Sequence, residues 1–386
     1  MTEFQGYERK HGPAGIRNHV AVIPTVACAN GVVSAIAREV PGVVPLFHGH
    51  GCGRGGPDVL VQFRSLINLG RNPNVFSVLV VGLGCEVIKA EIVGKRLAQL
   101  GKAAEYFEIQ EIGGSRKAAA KGAEIVREML AEAQKQERRL FPLSEIILGM
   151  ECGGSDAFSG VTANPGAGLA ADWLVEEGGT VILTETTEMI GTSHILERRS
   201  RDQEVAGQVA SRIADAEQRT KDILGPYASQ VIAPGNMDGG MSSIREKSLG
   251  CILKGGSTTI NQVVDYADIP SEKGLVIMDG PGYDVESIAG LAASGCQLMI
   301  FTTGRGNPIG FPIVPVIKVA STSRLYKRME DDIDINAGAV LEGSTLEDVA
   351  GEIKDLILRV LDGEQTKAEI NQQDGILCLY TVTPTF

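Results

Sequence analysis

Four cysteines are the residues of this 386-residue chain whose type and placement most plainly offer chemistry. Cys28 lies in PTVACAN, Cys52 in HGHGCGRGG, Cys85 in VVGLGCE and Cys152 in GMECGGSD. Each follows an apolar run of strand length among glycines or small residues, where loops and helix N-termini converge on ligands in an open α/β sheet. Thiolates gathered there in a reducing compartment suit iron, zinc or an iron–sulfur cluster. The competing reading, a buried cysteine as a small hydrophobe, stays open for any single one of them. Repetition of the placement tips the set toward a metal. Cys251, Cys296 and Cys378 lack the glycine context and read as packing residues, and no CxxC pair exists. His48 and His50 share the loop of Cys52; His48 is the candidate base and His50 a substrate contact. His11, His19 and His194 have no comparable surroundings.

The second half of the chain supplies polar groups on glycine-rich loops. ECGGSDAFSGVTANP carries Ser155, Asp156 and Asn164, suited to substrate hydroxyls and ill suited to a core. TETTEMIG places Glu185 and Glu188 after a strand, for metal binding or proton transfer, although Glu188 equally suits the start of a helix. PGNMDGGMSSIREKSLG offers Asn236 and Lys247, and FTTGRGNPIG offers Thr302, Thr303 and Arg305. Arg305 is the carboxylate-binding candidate, because a guanidinium grips a carboxylate through two parallel hydrogen bonds. Neither FTTGRGNPIG nor VVGLGCE completes a phosphate-loop or dinucleotide fingerprint. Asp279, Asp284, Asp332 and Asp334 lie in acidic clusters of the kind that usually decorate a surface, and of these Asp334 alone is kept as a site candidate.

The elements that must position these residues alternate strand and helix, the βαβ pattern. Strands are expected at 19–25, 43–47, 77–82 and 103–109, with helices near 32–39, 58–69, 88–100 and 115–136. KQERRLFP, residues 135–142, reads as a linker. Beyond it, strands are expected at 146–150, 180–185, 274–278, 297–302 and 314–319, with a polar helical excursion over 198–224. The expectation is two doubly wound, Rossmann-like α/β domains with largely parallel sheets, residues 1–140 and 141–386.

Composition narrows the partners. A net charge of −12 repels polyanions, so nucleic acid is not expected. No apolar run reaches the length of a bilayer crossing and the first residues contain no hydrophobic signal segment, which implies a cytoplasmic protein. Glycine is abundant at 48 residues, about 12% against a usual level of roughly 7%.

The ordered segments GYERKHGPAGIRNHVAVIPTVACAN, HGHGCG, NPNVFSVLVVGLGCE, ECGGSDAFSGVTANP, PGNMDGGMSSIREKSLG, FTTGRGNPIG and DIDINAG resemble the UxaA/GarD family of altronate and galactarate dehydratases over nearly the whole chain. The resemblance implies an iron-dependent hydro-lyase that converts a small 2,3-dihydroxy sugar acid into a 2-keto-3-deoxy acid. Many members carry an N-terminal SAF domain. This sequence starts at the GY motif, so the resemblance implies a separate small SAF-domain subunit, with the large chain itself a homo-oligomer. The related sulfolactate sulfo-lyases, which release sulfite and pyruvate, are the alternative. Hydroxide departs with more difficulty than sulfite, and a chain with thiols at Cys28, Cys52 and Cys85 is equipped for the harder departure. A non-catalytic sugar-acid-binding subunit, or zinc in place of iron, are further readings. The expected mechanism seats iron, as Fe2+ or a three-cysteine 4Fe-4S cluster, on Cys52, Cys85 and Cys152, with Cys28 next in line. His48 takes the C2 proton, Arg305 holds the carboxylate, and Asp156 and Glu185 complete the catalytic set.

Overall fold

The runs HVAVIP and VFSVLVVG become neighbouring parallel strands because β-branched residues fit a pleated surface buried on both faces. The computed structural model describes residues 2–230, 232–373 and 377–386. Its strands are β1 (Glu3–Gly6), β2 (His19–Pro24), β3 (Val43–Pro45), β4 (Val75–Gly82), β5 (Ala103–Glu108), β6 (Arg139–Pro142), β7 (Ile147–Cys152), β8 (Thr180–Leu183), β9 (Ile260–Val264), β10 (Gly274–Met278), β11 (Leu298–Thr303), β12 (Val316–Ala320) and β13 (Ile335–Asn336).

Two parallel sheets carry the architecture. The first has the order β3-β2-β4-β5 and the second β13-β12-β11-β7-β8-β10-β9. The α/β class with largely parallel sheets therefore holds. In each sheet the strand order reverses beside the first strand, at β2/β4 and at β7/β11, and the crevice at such a reversal is where ligands bind. The stretch 135–142 is more than a linker: its second half is β6, which pairs antiparallel with β1.

Alternate residues of β2 and β4 enter different cores. Val20, Val22, Leu79 and Val81 pack outward, whereas Ala21, Ile23, Val78 and Val80 join a cluster that also contains Ile182, Val276, Met299 and Phe301 of the second sheet. One apolar core thus bridges the sheets. The helix Gly56–Arg71 lies in it against the helix Asp284–Ala293, with Asn72 Nδ2 donating to the Ala292 and Cys296 carbonyls at 2.8 and 2.9 Å. At the other ends of these helices the C-terminal segment ties the loops together. Leu379 N–H donates to His50 Nε2 at 3.3 Å, Arg54 donates to the Thr383 carbonyl at 2.9 Å, and the Cys378 thiol faces Glu286 at 3.9 Å. The C-terminal edges of both sheets consequently open on the same side. No helix among the described residues is long and apolar enough to cross a membrane.

Candidate active site

A cavity of about 230 Å³ opens at the C-terminal edge of the second sheet, beside its β7/β11 reversal. Gly153 and Gly154 follow β7, Thr187 and Glu188 follow β8, Gly282 and Asp284 follow β10, and Arg305 follows β11. Asn236 and Lys247 reach it from the polar segment between β8 and β9. Glycine is required at the wall: a Cβ on Gly153 would stand 2.1 Å from Asp284 Oδ2 and 2.6 Å from the Phe301 ring. The backbone must therefore pass closely there for Asp284 to face the cavity.

Behind Glu188 lies a buried charged cluster. Lys247 Nζ donates to Glu188 Oε1, and the thiols of Cys152 and Cys251 both donate to Glu188 Oε2 at 3.0 Å. The two sulfurs are 3.5 Å apart. Lys254 Nζ donates to Glu185 Oε2 at 2.8 Å, with 1% and 0% of those side chains exposed. Glu185 holds a left-handed backbone, φ 69°, which costs a residue with a side chain on the order of 1 kcal/mol and is typical of functional sites.

The surroundings push these ionisations apart. Burial alone would raise the Glu188 carboxyl, but Lys247 and Lys254 outweigh it and hold it at about 2. Burial and the Glu188 charge push Glu185 up to about 7 despite Lys254. Lys247, although desolvated, is raised by Glu188 and stays protonated. Asp284 is raised, first by burial and then by Glu188. The adjacent Cys251 sulfur, together with burial, keeps Cys152 a thiol.

Cys152, Glu188 and Cys251 offer ligand atoms that lie within 4.8 Å of one another, and so do Glu151, Glu185 and Asp284. In the second group, Oε1 of Glu151 and of Glu185 are buried without a hydrogen-bond partner. Below it, Lys318 Nζ lies 3.5 Å from the centre of the Phe301 ring and burial pushes it down to about 7.

Arg305, Lys247 and Asn236 of the sequence-derived set line the cavity together. Glu185 sits one layer behind. Asp156 is turned elsewhere: Oδ1 accepts from Ser159 N and Oγ at 2.9 Å, Oδ2 accepts from Ser321 Oγ at 2.9 Å, and its backbone packs on Gly304. It shapes the loop that carries Arg305 instead of facing a substrate. Thr302 donates to Asn164 Oδ1 at 2.6 Å, Asn164 donates to the Gly250 carbonyl at 3.0 Å, and Thr303 Oγ1 accepts from Gly306 N at 2.9 Å. These three residues are loop braces. The Ser155 carbonyl accepts from Asn236 Nδ2 at 2.8 Å, while its hydroxyl is buried and unpartnered.

His48 does not face the cavity either. Its Nδ1 accepts from His50 N at 3.2 Å, which leaves Nε2 to donate to the Pro24 carbonyl at 2.7 Å. Both ring nitrogens are spent on backbone, and burial pushes the imidazole down to about 4. His50 is half buried. Cys28, Cys52 and Cys85 are exposed, and none of them shares a close ligand group with Cys152, whose sulfur neighbour is Cys251. The three do occupy adjoining loops, since Ala27 N donates to the His50 carbonyl at 2.8 Å and Thr25 Oγ1 to Glu86 Oε1 at 2.7 Å.

Cys251 and Lys254 were not expected in the site. Their signal is spacing: Lys247, Cys251 and Lys254 stand at i, i+4 and i+7, one face of a helical segment. Asp284 gave no signal apart from its acidic cluster.

Both halves of the chain match known protein families. Residues 6–134 match the family described as D-galactarate dehydratase/Altronate hydrolase, second domain, and residues 143–383 match D-galactarate/Altronate dehydratase, C-terminal. The chain is 36% identical to the altronate dehydratase of Bacillus subtilis (strain 168), an alignment covering 95% of this chain and 76% of that one. It is 34% identical to the galactarate dehydratase (L-threo-forming) of Escherichia coli (strain K12), covering 94% and 73%. It is also 34% identical to the (2R)-sulfolactate sulfo-lyase subunit beta of Chromohalobacter salexigens, covering 95% and 94%. With both halves matched in order and dehydratases aligned along nearly its whole length, this chain belongs to the D-galactarate/altronate dehydratase family.

Proposed function

We propose that the chain is a hydro-lyase that removes water from a polyhydroxy carboxylate of the altronate or galactarate kind, working in the reducing cytoplasm with a small partner subunit, as the subunit name of its sulfo-lyase relative suggests. The observation that carries this reading is the polar cavity at the β7/β11 reversal, where Arg305 and protonated Lys247 meet Asp284 and Glu188. Arg305 grips the substrate carboxylate. Asp284, with a raised carboxyl, takes the C2 proton, and the cations stabilise the enolate-like carboxylate that develops. Lys247 delivers a proton to the departing C3 hydroxyl. Loss of water leaves an enol, which tautomerises to the 2-keto-3-deoxy acid.

Cys152, Cys251 and Glu188 fit a soft divalent metal, since two thiols and a carboxylate with close ligand atoms suit Fe2+ or zinc. Iron held there would supply Lewis-acid assistance to loss of the hydroxyl. The exposed set Cys28, Cys52 and Cys85, on adjoining loops, is the second place for iron, as a cluster. Elemental analysis of anaerobically purified Cys152→Ser/Cys251→Ser and Cys52→Ser/Cys85→Ser variants decides between them.

The relative named as a sulfo-lyase subunit, aligned over 95% of this chain, supports release of sulfite from sulfolactate as the second reading. Incubating the anaerobic, iron-supplied protein and its small partner with altronate, galactarate and sulfolactate separates the two. Formation of a 2-keto acid from a sugar acid is expected. Sulfite without sugar-acid turnover selects the second reading, and binding without any product leaves a sugar-acid-binding subunit.

A further inference from the structure

A second cavity, of about 410 Å³, lies at the opposite end of the sheets. Pro73 just before β4, Lys102 just before β5, Ile147 at the start of β7 and Gly295 ahead of β11 all border it, so both domains and the segment 8–13 contribute. Nothing in the dehydration reading uses it.

Its charge is unusual for a chain of net −12. Arg9, Lys10, His11, Arg71 and Lys102 line it, and the single acid, Glu8, is engaged with Arg139 at 3.1 Å. Among the described residues, no carboxylate lies within 4.0 Å of the Arg9, Arg71 or Lys102 cations. Their bonds go to neutral groups instead. Lys102 donates to the Asn72 and Val75 carbonyls. Arg9 donates to the Pro73 and Arg17 carbonyls and to Gln136 Oε1. Carbonyls satisfy donors without cancelling charge, and the consequence is visible in the ionisation. Burial, then repulsion from Arg9 and Arg71, pushes Lys102 down to about 7, and burial pushes Arg9 down to about 10. Arg71 spends one donor on Asn68 Oδ1 at 3.3 Å, so most of the five N–H groups of its guanidinium remain for a ligand.

We propose that this cleft is a binding site for a phosphate-bearing metabolite. A phosphate dianion compensates two of the converging cations, which a single carboxylate does not. Phe76 and Leu100 offer an apolar wall for the organic body attached to it. An occupant touches both domains at once and stabilises their present arrangement.

The test uses the intact chain, with inorganic phosphate and ribose 5-phosphate as probes in calorimetric titration and thermal melts. Both probes are expected to bind and to raise Tm, the ester more than the inorganic ion. Arg71→Glu is expected to weaken both by about tenfold or more, and Lys10→Ala by less. Arg305→Ala, at the other cavity, is expected to leave binding intact. The proposal fails if neither probe binds the natively folded protein. It also fails if Arg71→Glu binds like the parent, or if Arg305→Ala abolishes the signal.

Discussion

Lys247 and Glu188 differ from a surface ion pair because both are buried beside two thiols and a second Lys–Glu pair. Removing either partner leaves an uncompensated buried charge, so the pair is tested through the group facing substrate. Lys247→Arg, which keeps the cation beside Glu188 but does not give up its proton, is expected to lower kcat about a hundred- to ten-thousand-fold, the range of a lost general acid. Asp284→Asn is expected to abolish exchange of the substrate C2 proton with deuterated solvent; retained exchange removes Asp284 as the base. His48 makes a separate prediction, one of stability. Its imidazole sits at about 4 in the fold, well below its ordinary value near 6.5, because burial disfavours the charged form. The unfolded chain binds this proton first. The contribution of His48 to stability is therefore complete above pH 6.5 and is lost as pH falls toward 4, by on the order of 3 kcal/mol. His48→Asn is expected to remove that part of the slope when urea midpoints of variant and parent are compared from pH 7 to 4.5. Parallel curves would show that the histidine is not neutral in the fold.

At the scale of elements, what was legible in the sequence follows from length and burial. Residues 274–278 and 19–24 are apolar runs close to their expected ends, whereas β9 (INQVV), β13 and the β1/β6 pair were missed because they are short or carry polar residues that break the pattern. Arg305, Asn236 and Lys247, picked out on glycine-rich loops, do line the cavity. Cys251 escaped because it closes a helix instead of following a strand, and His48 was over-read because residue type and loop position say nothing of the bonds that tie both ring nitrogens to backbone. Glycine itself plays two roles, which substitution separates. Gly153→Ala drives a methyl into Asp284 and Phe301, so activity is expected to fall more than tenfold, roughly the effect of displacing a catalytic group by an ångström. Gly207 is exposed in the helix Gln203–Leu224, with no atom near an added Cβ. Gly207→Ala is expected to raise stability by about 0.5–1 kcal/mol and to leave turnover unchanged, as a thermal melt and an activity assay would show.

On the scale of the whole molecule, the fold must hold two sheets with their C-terminal edges on one side, and the apolar core between them is non-directional. Direction comes from buried amides that the motif NPNVFSVLVV supplies just before β4. Asn74, with no exposed surface, accepts from Ile16 N at 2.9 Å and Arg17 N at 3.3 Å, and donates to the Gln297 and Ile313 carbonyls at 2.9 Å. One side chain thus fixes the N-terminal segment and the first sheet to the second. Asn74→Ala strands buried donors of the N-terminal segment and buried acceptors beside the second sheet, each at a cost of about 1–3 kcal/mol, which together is a large share of a marginal stability. The expected result is an unfolding free energy lowered by several kcal/mol, with the urea transition broadening or splitting as the sheets lose their common register. Asn74→Asp sets a buried carboxylate oxygen against the Gln297 and Ile313 carbonyls, so it is expected to destabilise at least as much as Asn74→Ala. A variant that melts like the parent in one sharp step would mean that apolar packing alone aligns the sheets, and that the cavity at β7/β11 does not depend on this pin.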